Sequence, residues 1–372
     1  MTQLKVIISG GGTGGHIFPA IAIADAIKKR YPSARILFVG AENRMEMTRV
    51  PAAGYEIVGL EVSGFNRTNL LKNFSVLLKL QKSLIKAKRI IREFKPDIAI
   101  GVGGYASGPL LRAAASMGVP TLIQEQNSYP GVTNKLLAKK ARIICVAYDN
   151  MDKFFPAEKI ILTGNPCRQS LFADVSREEA MKYFDLDPAL KTILVVGGSL
   201  GARTINKSVE LNLKEIGESN VQVIWQSGEN YFHSLYLELP NREGTKRIRL
   251  HAFLDRMDLA YKAADLVISR AGAGSISELS LLGKPVILVP SPNVAEDHQT
   301  KNAMALVNKN AAILVKDIEA EKKLIPVALK VVNDETKLNE LSDNILKLAQ
   351  KDSANRIVDE AIELIKDSGK KI

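Results

Sequence analysis

The sequence contains little cysteine and histidine. Its 372 residues include two cysteines, Cys145 and Cys167, and four scattered histidines. Two cysteines make no disulfide framework, and the spacing of cysteine and histidine matches no structural zinc site. We therefore expect a protein of a reducing compartment whose fold depends on neither disulfides nor zinc.

Long apolar runs are also missing. No window approaches the roughly 18 uninterrupted apolar residues that a membrane-spanning helix needs. The short run Val6–Ile8 leads directly into glycines, so we expect no signal peptide. With 46% hydrophobic and 24% charged residues, the composition is ordinary for a globular chain with room for two domains.

Acidic residues are scarce in the first half of the chain. Residues 1–165 hold 23 Lys and Arg against 11 Asp and Glu, whereas residues 166–372 hold 28 against 29. The net charge of +11 therefore comes from the first half. A positive charge confined to one half favours a local anionic surface or substrate over nucleic acid.

Glycine is concentrated in three loops that each follow a predicted strand. The first is Gly10–His16 (GGGTGGH), before a helix predicted to open near Pro19, and the others are Gly101–Tyr105 and Gly197–Ala202. Glycines let the backbone approach an anion closely, and a following helix directs its unpaired N–H groups at that anion. These loops therefore predict phosphate or pyrophosphate sites.

A dinucleotide fingerprint is the alternative interpretation of the first loop. Gly10, Gly12 and Gly15 satisfy its spacing, and Glu42 could serve as the acid that binds the ribose. A nicotinamide oxidoreductase, however, is expected to have only one domain with such a fingerprint. Three strand-to-glycine junctions in two halves favour two nucleotide-type α/β domains.

Predicted strands and helices alternate at the spacing of parallel βαβ units. We place the domain boundary near residue 165, and the pattern over Asp352–Lys366 predicts an amphipathic helix. The predicted strands are 5–9, 36–39, 98–100, 121–124, 143–146, 192–196, 222–226, 265–269 and 285–289. The helices predicted between them include 21–30, 70–94 and 109–117.

The densest polar cluster is Ser269–Leu279 (SRAGAGSISEL). Ser275 and Glu278 have the spacing of a capping box, which predicts a helix starting at Ser275. Alternatively, the Glu278 carboxylate accepts hydrogen bonds from two neighbouring sugar hydroxyls. A separate Asp185-Leu186-Asp187 matches the Asp-x-Asp pattern of metal-dependent transferases, but it precedes Pro188 and predicts a solvated turn.

The region Leu70–Phe94 is basic, with Glu93 as its one acidic residue. An ordinary crossover helix would have lysines on its wet face, but a solvated face usually mixes charge signs. We therefore predict a peripheral membrane face here, because polybasic patches bind anionic lipid. Its predicted residues are Lys72, Phe74, Lys79, Lys82, Lys86 and Arg89.

Eight segments together resemble the MurG family of bacterial peptidoglycan glycosyltransferases. They are Gly11–Pro19, Gly101–Pro109, Glu125–Asn127, Thr133–Lys135, Gly164–Arg168, Gly197–Arg203, Ser269–Glu278 and Asp297–Gln299. Gln124 and Thr300 depart from the residues that some members carry, so we assign them no role.

The resemblance implies an α/β fold of the GT-B class, in which two doubly wound Rossmann-like domains with parallel sheets face a central cleft. Residues 1–165, with the helix at about 351–372, would bind the acceptor and face the membrane. Residues 166–350 would bind UDP-GlcNAc.

The implied reaction transfers N-acetylglucosamine from UDP-GlcNAc, with inversion and without a metal or other cofactor. The acceptor would be the 4-hydroxyl of MurNAc in undecaprenyl-pyrophosphoryl-MurNAc-pentapeptide, and the products lipid II and UDP. The enzyme would lie on the cytoplasmic face of the bacterial membrane, against its anionic inner leaflet. Contact with other cell-wall synthesis or division proteins is left open, and nucleic acid is not expected.

The resemblance also implies site residues. Those for UDP-GlcNAc are Thr13, Gly14, Gly15, Asn127, Arg168, Ser199, Leu254 through its backbone, Ala273, Gly274, Ser275, Ile276, Ser277, Glu278 and Gln299. Those for the acceptor pyrophosphate are Gly12, Gly103, Gly104 and Tyr105.

His16 is our candidate for the base that deprotonates the acceptor hydroxyl, because a neutral imidazole can take a proton near pH 7. The alternative is that His16 only hydrogen-bonds its loop or a phosphate, and Glu125 is the weaker candidate base. Two other functions remain open. One is transfer from a UDP-sugar to another lipid such as diacylglycerol, and the other is a non-catalytic scaffold that binds a UDP-sugar at the membrane.

Overall fold

The computed structural model describes residues 3–62, 73–167, 169–198 and 200–370. Helices and strands alternate through this part of the chain. The strands are β1 (Lys5–Gly10), β2 (Arg35–Ala41), β3 (Glu56–Leu60), β4 (Ile98–Gly103), β5 (Thr121–Glu125), β6 (Ile143–Val146), β7 (Ile160–Leu162), β8 (Lys191–Val196), β9 (Val221–Gln226), β10 (Ile248–His251), β11 (Leu266–Ser269), β12 (Val286–Leu288) and β13 (Ile313–Leu314). The helices are α1 (Gly14–Arg30), α2 (Glu46–Ala52), α3 (Asn73–Phe94), α4 (Ser107–Ser116), α5 (Val132–Ala138), α6 (Arg177–Tyr183), α7 (Arg203–Leu211), α8 (Leu213–Glu218), α9 (Glu229–Glu238), α10 (Met257–Ala263), α11 (Ala273–Leu281), α12 (His298–Val307), α13 (Asp317–Val332), α14 (Glu335–Leu346) and α15 (Ser353–Asp367).

The chain divides into two units. The first is Met1–Arg168 with Gln350–Ile372, and the second is Gln169–Ala349. The sheet of the first unit has the strand order β3-β2-β1-β4-β5-β6-β7, and that of the second has the order β10-β9-β8-β11-β12-β13. Neighbouring strands are parallel in both sheets.

Both faces of the first sheet are covered by helices. Val6 and Ile8 of β1 face one side and pack with α1 and α15, whereas Ile7 faces the opposite side and packs with α3 and α4. This alternation follows from the two-residue period of a strand. Because both sides are buried, the central strands are continuous apolar runs.

The core of the second unit is arranged in the same way. Ile193 and Val195 of β8 pack with residues of α7 and α13 on one face of the sheet. Trp225 of β9 is fully buried in this cluster. It is the only tryptophan of the sequence, so its fluorescence reports on the second unit.

Two predicted helix starts were wrong. Helix α1 begins at Gly14 rather than near Pro19, which lies inside the helix. Its glycines form the first turn, so the apolar pattern begins later than the helix does. Helix α11 begins at Ala273 with Gly272 as its N-cap. Ser275 is therefore the third helical residue, and the predicted capping box with Glu278 does not form.

The Asp-x-Asp sequence forms the predicted turn. Asp185 pairs with Arg249 at 2.9 Å, and the Asp187 carboxylate accepts the Ala189 amide at 2.9 Å. Among the described residues, no group of three or more His, Cys, Asp and Glu side chains is placed to hold a metal ion. Within the same residues, every helix is too short or too polar to cross a membrane.

Lys284, between α11 and β12, gives the second unit a pH-dependent stability. Its ammonium donates to the Ala264 carbonyl at 2.8 Å. Burial lowers the pKa of Lys284 to about 8 from 10.5, and Asp265 opposes this shift. Between these two pH values the unfolded chain binds more protons, so the free energy of unfolding should rise with pH there.

We predict that Lys284→Met removes this rise. At pH 7 the variant should be more stable by about 1–2 kcal/mol, because the cost of burying the charge, about 3 kcal/mol, disappears together with one hydrogen bond. Urea unfolding followed by Trp225 fluorescence from pH 7 to 10.5 measures both effects. Lys262→Met, at an exposed lysine, is the control, and equal behaviour of the two variants would contradict the prediction.

Candidate active site

The glycine loops lie where the strand order of each sheet reverses. In the first unit the reversal lies between β1 and β4, and in the second between β8 and β11. Helices that leave such a point cover opposite faces of the sheet, which leaves a crevice at the carboxyl ends of the strands. The connections at the crevice of the first unit are loop 1 (11–13) and loop 2 (104–106). Those at the crevice of the second unit are loop 3 (197–198 and 200–202) and loop 4 (270–272).

Loops 1 and 2 are in direct contact. A β-carbon on Gly104 would lie 2.4 Å from the Gly11 carbonyl oxygen, and one on Gly103 would lie 2.7 Å from Cδ2 of His16. Both glycines have a positive φ, 88° and 104°. Gly103 and Gly104 thus allow loop 1, loop 2 and His16 to pack together. Tyr105, which follows them, is exposed.

His16 is held by loop 1. Its Nδ1 lies 3.1 Å from the Gly11 carbonyl oxygen and 3.4 Å from Oγ1 of Thr13. A carbonyl oxygen only accepts hydrogen bonds, so Nδ1 carries the proton and the basic lone pair of the neutral ring lies on Nε2. This tautomer is the one that a base acting through Nε2 requires.

Glu46 is a site residue that the sequence analysis missed. It is the first residue of α2 and is fully buried. Its carboxylate accepts the amides of Gly12 and Ala41, each at 2.9 Å. The Gly12 amide therefore points at a carboxylate, which argues against its predicted contact with a pyrophosphate. Glu42, the ribose acid of the dinucleotide alternative, pairs instead with Lys86 at 2.9 Å.

Glu125 ends β5 and holds the segment that follows it. One carboxylate oxygen accepts the backbone and side-chain amides of Asn127 at 3.0 and 3.2 Å, and the other accepts Asn134 and Gly131 at 2.8 and 3.2 Å. Burial raises the pKa of Glu125, and these four hydrogen bonds oppose that rise. Since the group is only 2% exposed, this geometry favours a structural role that positions Asn127 over the predicted role as a base.

Loop 3 is joined to the segment that carries Leu254. The side-chain amide of Gln226 donates to the Gly198 carbonyl at 3.0 Å, and its oxygen accepts the Leu254 amide at 3.0 Å. Gly198 and Gly201 have positive φ values of 94° and 80°. Because the Leu254 N–H is engaged, the predicted backbone contact to uracil has to use the Leu254 carbonyl.

The predicted donor residues of α11 differ in exposure. Ala273 and Ile276 are buried in the core, whereas Gly274, Ser275, Ser277 and Glu278 are partly exposed. The Tyr261 hydroxyl donates to Glu278 at 3.2 Å and so orients its carboxylate. Ile276 can therefore contribute through its backbone only.

Gln299 lies in the first turn of α12, after two residues in the left-handed region. Glu296 and Asp297 have φ values of 57° and 51°, which is rare for non-glycine residues and common at functional sites. The Gln299 side-chain oxygen accepts the Ser291 amide at 2.8 Å. Its amide nitrogen is then the group suited to donate to a ligand.

Arg270 of loop 4 holds elements of the second unit together. It forms an ion pair with Asp317 and donates to the Val289 carbonyl at 3.1 Å and to Thr204 at 3.2 Å. These contacts join the ends of β11 and β12 to α7 and α13. Arg270 therefore fixes the backbone of loop 4 and is engaged away from a diphosphate.

Three predicted residues, Lys72, Arg168 and Ser199, lie outside the described residues, as does the side chain of Phe74. The remainder of the predicted membrane face is described. Leu78, Lys82, Ile85 and Arg89 share one face of α3, because their spacing is i, i+4, i+7 and i+11.

Comparison with known proteins identifies the family. Residues 6–146 match the glycosyltransferase family 28 N-terminal domain, and residues 192–357 match the C-terminal domain of that family. A curated relative from Parabacteroides distasonis is 64% identical over 98% of this chain and 99% of its own length. It is named UDP-N-acetylglucosamine–N-acetylmuramyl-(pentapeptide) pyrophosphoryl-undecaprenol N-acetylglucosamine transferase, as is a Bacteroides fragilis relative that is 63% identical over 98% of this chain and 97% of its own.

The crystal structure of Acinetobacter baumannii MurG matches 97% of this chain and 99% of its own, with a TM-score of 0.78 and 26% identity. This chain belongs to the MurG family. The resemblance drawn from the motifs is thereby confirmed, as is the predicted class of two doubly wound α/β domains. The roles of individual site residues in this MurG-family chain stay predictions.

Three residues that build the site carried no motif in the sequence. Glu46, Gln226 and Tyr261 each hold a group that the motifs do contain. Of the three, only Glu46 has a trace in the sequence, namely the two glycines at positions 11 and 40 that leave space for its side chain. That space becomes visible once the ends of β1 and β2 are known to be neighbours.

We predict that Gly103→Ala destabilises the first unit more than Gly118→Ala does. Both glycines have positive φ, 104° and 76°, but a β-carbon on Gly118 meets open space. Gly118→Ala should lower the free energy of unfolding by about 1 kcal/mol, because alanine is strained at a positive φ. Gly103→Ala should cost about 1–3 kcal/mol more, because His16 has to move. Urea unfolding followed by far-UV circular dichroism compares them, and equal losses would contradict the packing of His16 on Gly103.

Proposed function

We propose that this chain catalyses the reaction named for its relatives, the transfer of N-acetylglucosamine from UDP-GlcNAc to undecaprenyl-pyrophosphoryl-MurNAc-pentapeptide. The products are lipid II and UDP, and the reaction belongs to peptidoglycan synthesis. The observation that carries this proposal is the identity of 64% over 98% of the chain. The same observation disfavours transfer to diacylglycerol and a non-catalytic scaffold.

In the proposed reaction, the oxygen of the MurNAc 4-hydroxyl attacks the anomeric carbon of the donor sugar. The bond from that carbon to the diphosphate breaks, and UDP leaves with the electron pair. Attack from the face opposite the leaving group inverts the anomeric centre. Nε2 of His16 takes the hydroxyl proton, a role supported by the Nδ1–H tautomer that Gly11 selects.

The second unit is proposed to bind the donor. Charge grows on the diphosphate as the glycosidic bond breaks, so amides preorganised for it stabilise the transition state more than the ground state. Loop 3 and loop 4 lead into the first turns of α7 and α11, which contain no acidic residue. The N–H groups in the first turns of these two helices are suited to the diphosphate. Glu278, oriented by Tyr261, accepts hydrogen bonds from two hydroxyls of the donor sugar.

The first unit is proposed to bind the acceptor. Since the Gly12 amide is engaged by Glu46, we assign the pyrophosphate to Gly103, Gly104 and Tyr105. The N–H groups of Gly14 and Gly15, in the first turn of α1, stay assigned to UDP-GlcNAc, as the resemblance implies. The first four N–H groups of a helix have no partner within it. The partly exposed amide of Asn127, placed by Glu125, is proposed to meet the sugars.

The test is UDP release from UDP-GlcNAc in EDTA, with and without a short-chain analogue of the lipid acceptor. We expect release only with acceptor. In the same assay Glu278→Gln should raise the donor KM roughly 30-fold, the equivalent of about 2 kcal/mol of lost charged hydrogen bonding, with the acceptor KM unchanged.

Release with diacylglycerol instead of the MurNAc lipid would favour the other transferase. Binding of UDP-GlcNAc without any release, also after Mg²⁺ is added, would favour the scaffold. An unchanged donor KM for Glu278→Gln would remove its role in binding the donor hydroxyls.

We further propose that α3 docks this enzyme on the anionic cytoplasmic face of the membrane, where its lipid acceptor would lie. Leu78 and Ile85 are 47% and 72% exposed and lie on one face of the helix. Lys79, Lys82 and Lys86 are exposed beside them. Basic residues attract anionic lipid, and the apolar side chains can enter the interface.

Charge reversal of Lys79, Lys82 and Lys86 to Glu should weaken binding to vesicles of anionic lipid by roughly a hundredfold or more, since each lysine contributes about 1 kcal/mol near such a surface and each introduced glutamate is repelled by it. The matched control reverses the exposed Lys322, Lys330 and Lys347 of the second unit, with the same change in net charge. Ile85→Ser should weaken binding without any change in charge. Sedimentation with vesicles measures all three, and equal binding of the two triple variants would contradict the docking face.

A further inference from the structure

A buried carboxylate lies beneath loop 1, which precedes the helix that carries His16. Glu46 is fully buried, and one of its oxygens accepts the Gly12 amide at 2.9 Å while the other accepts the Ala41 amide at 2.9 Å. These amides follow β1 and end β2, two neighbouring strands. A single side chain therefore ties loop 1 to the carboxyl end of the next strand.

The backbone around Glu46 is shaped to accept it. A β-carbon on Gly11 would lie 2.1 Å from a Glu46 carboxylate oxygen, and one on Gly40 would lie 2.5 Å from its Cγ. Either substitution would fill the space that the carboxylate occupies. Two of the glycines at this edge thus serve a buried acid rather than a substrate.

The peptide group between Gly11 and Gly12 connects Glu46 to His16. Its N–H donates to Glu46, and its C=O accepts from Nδ1 of His16 at 3.1 Å. In a trans peptide these two groups point in opposite directions, so the hydrogen bond on one side fixes the direction of the other. A glycine pair would otherwise flip readily, because glycine adopts either sign of φ.

We propose that Glu46 is a positioning residue for His16. It holds the Gly11–Gly12 peptide with its carbonyl toward the ring, which keeps the proton on Nδ1 and the lone pair on Nε2. The carboxylate also polarises the peptide and so strengthens the carbonyl as an acceptor. The consequence for activity rests on the proposed role of His16 as the base.

Glu46→Gln tests this proposal because it is nearly isosteric. A glutamine can accept one backbone amide through its oxygen, but its NH₂ group then faces the other. A flipped Gly11–Gly12 peptide would satisfy that NH₂ with its carbonyl and turn its N–H toward Nδ1. We therefore expect His16 to change to the Nε2–H tautomer and kcat to fall roughly a hundredfold, with the KM for UDP-GlcNAc unchanged.

The tautomer is measured on the full chain by long-range ¹H–¹⁵N correlation with ¹⁵N-histidine, and His16→Gln assigns the signal. Gly12→Ala is the second variant. The added methyl group lies in open space, but alanine is strained at the φ of 87° that Gly12 adopts. The substitution should therefore favour the flipped peptide and shift the tautomer in the same direction, without altering the buried acid. Glu46→Asp, which keeps the charge, should restore part of the wild-type signal.

Asp97→Asn is the matched control. Asp97 accepts the Lys5 amide at 2.8 Å at the opposite end of β1, so its loss should cost stability without changing the tautomer. A wild-type tautomer in both Glu46→Gln and Gly12→Ala would overturn the proposal, as would the same change in Asp97→Asn. If His16→Ala leaves kcat unchanged, the assignment of the base fails while the tautomer result still decides the role of Glu46.

Discussion

The reversal of strand order within each parallel sheet is the constraint on which the rest of the structure depends. In the first unit it separates β1 from β4, and in the second it separates β8 from β11. Strands on the two sides of a reversal send their helices to opposite faces of the sheet, which leaves a crevice at the carboxyl ends of the strands. Glycine is concentrated at three of these four connections, because it permits close approaches such as that of Gly104 to the Gly11 carbonyl.

The structure gives those glycines a second purpose. A motif rich in glycine is usually interpreted as a cradle for phosphate, yet Gly103 and Gly104 are needed so that loop 2 can approach His16 and loop 1. Gly11 and Gly40 make room for Glu46. Part of the glycine pattern therefore makes room for His16 and Glu46, and the N–H groups available to an anion are fewer than the motif suggests.

The sequence predicted the central strands well and missed the edges. The strands that escaped prediction, β3, β7, β10 and β13, are the edge strands of the two sheets. Edge strands are partly exposed and short, as the two residues of β13 illustrate, so they lack the apolar run that marks a buried parallel strand. The motifs contain the candidate residues Glu278 and His16, whereas Glu46 and Gln226 make tertiary contacts that no local pattern encodes.

Loop 1 and loop 3 are anchored by groups of different charge, and this difference supports the proposed place of proton transfer. In the first unit loop 1 is held by the Glu46 carboxylate, and the segment after β5 is held by that of Glu125. In the second unit loop 3 is held by the neutral amide of Gln226. The carboxylate beneath loop 1 stabilises a histidine that gains a proton, whereas the neutral anchor of loop 3 leaves the field of its amides intact for a diphosphate. Proton transfer thus suits the first unit, and departure of UDP suits the second.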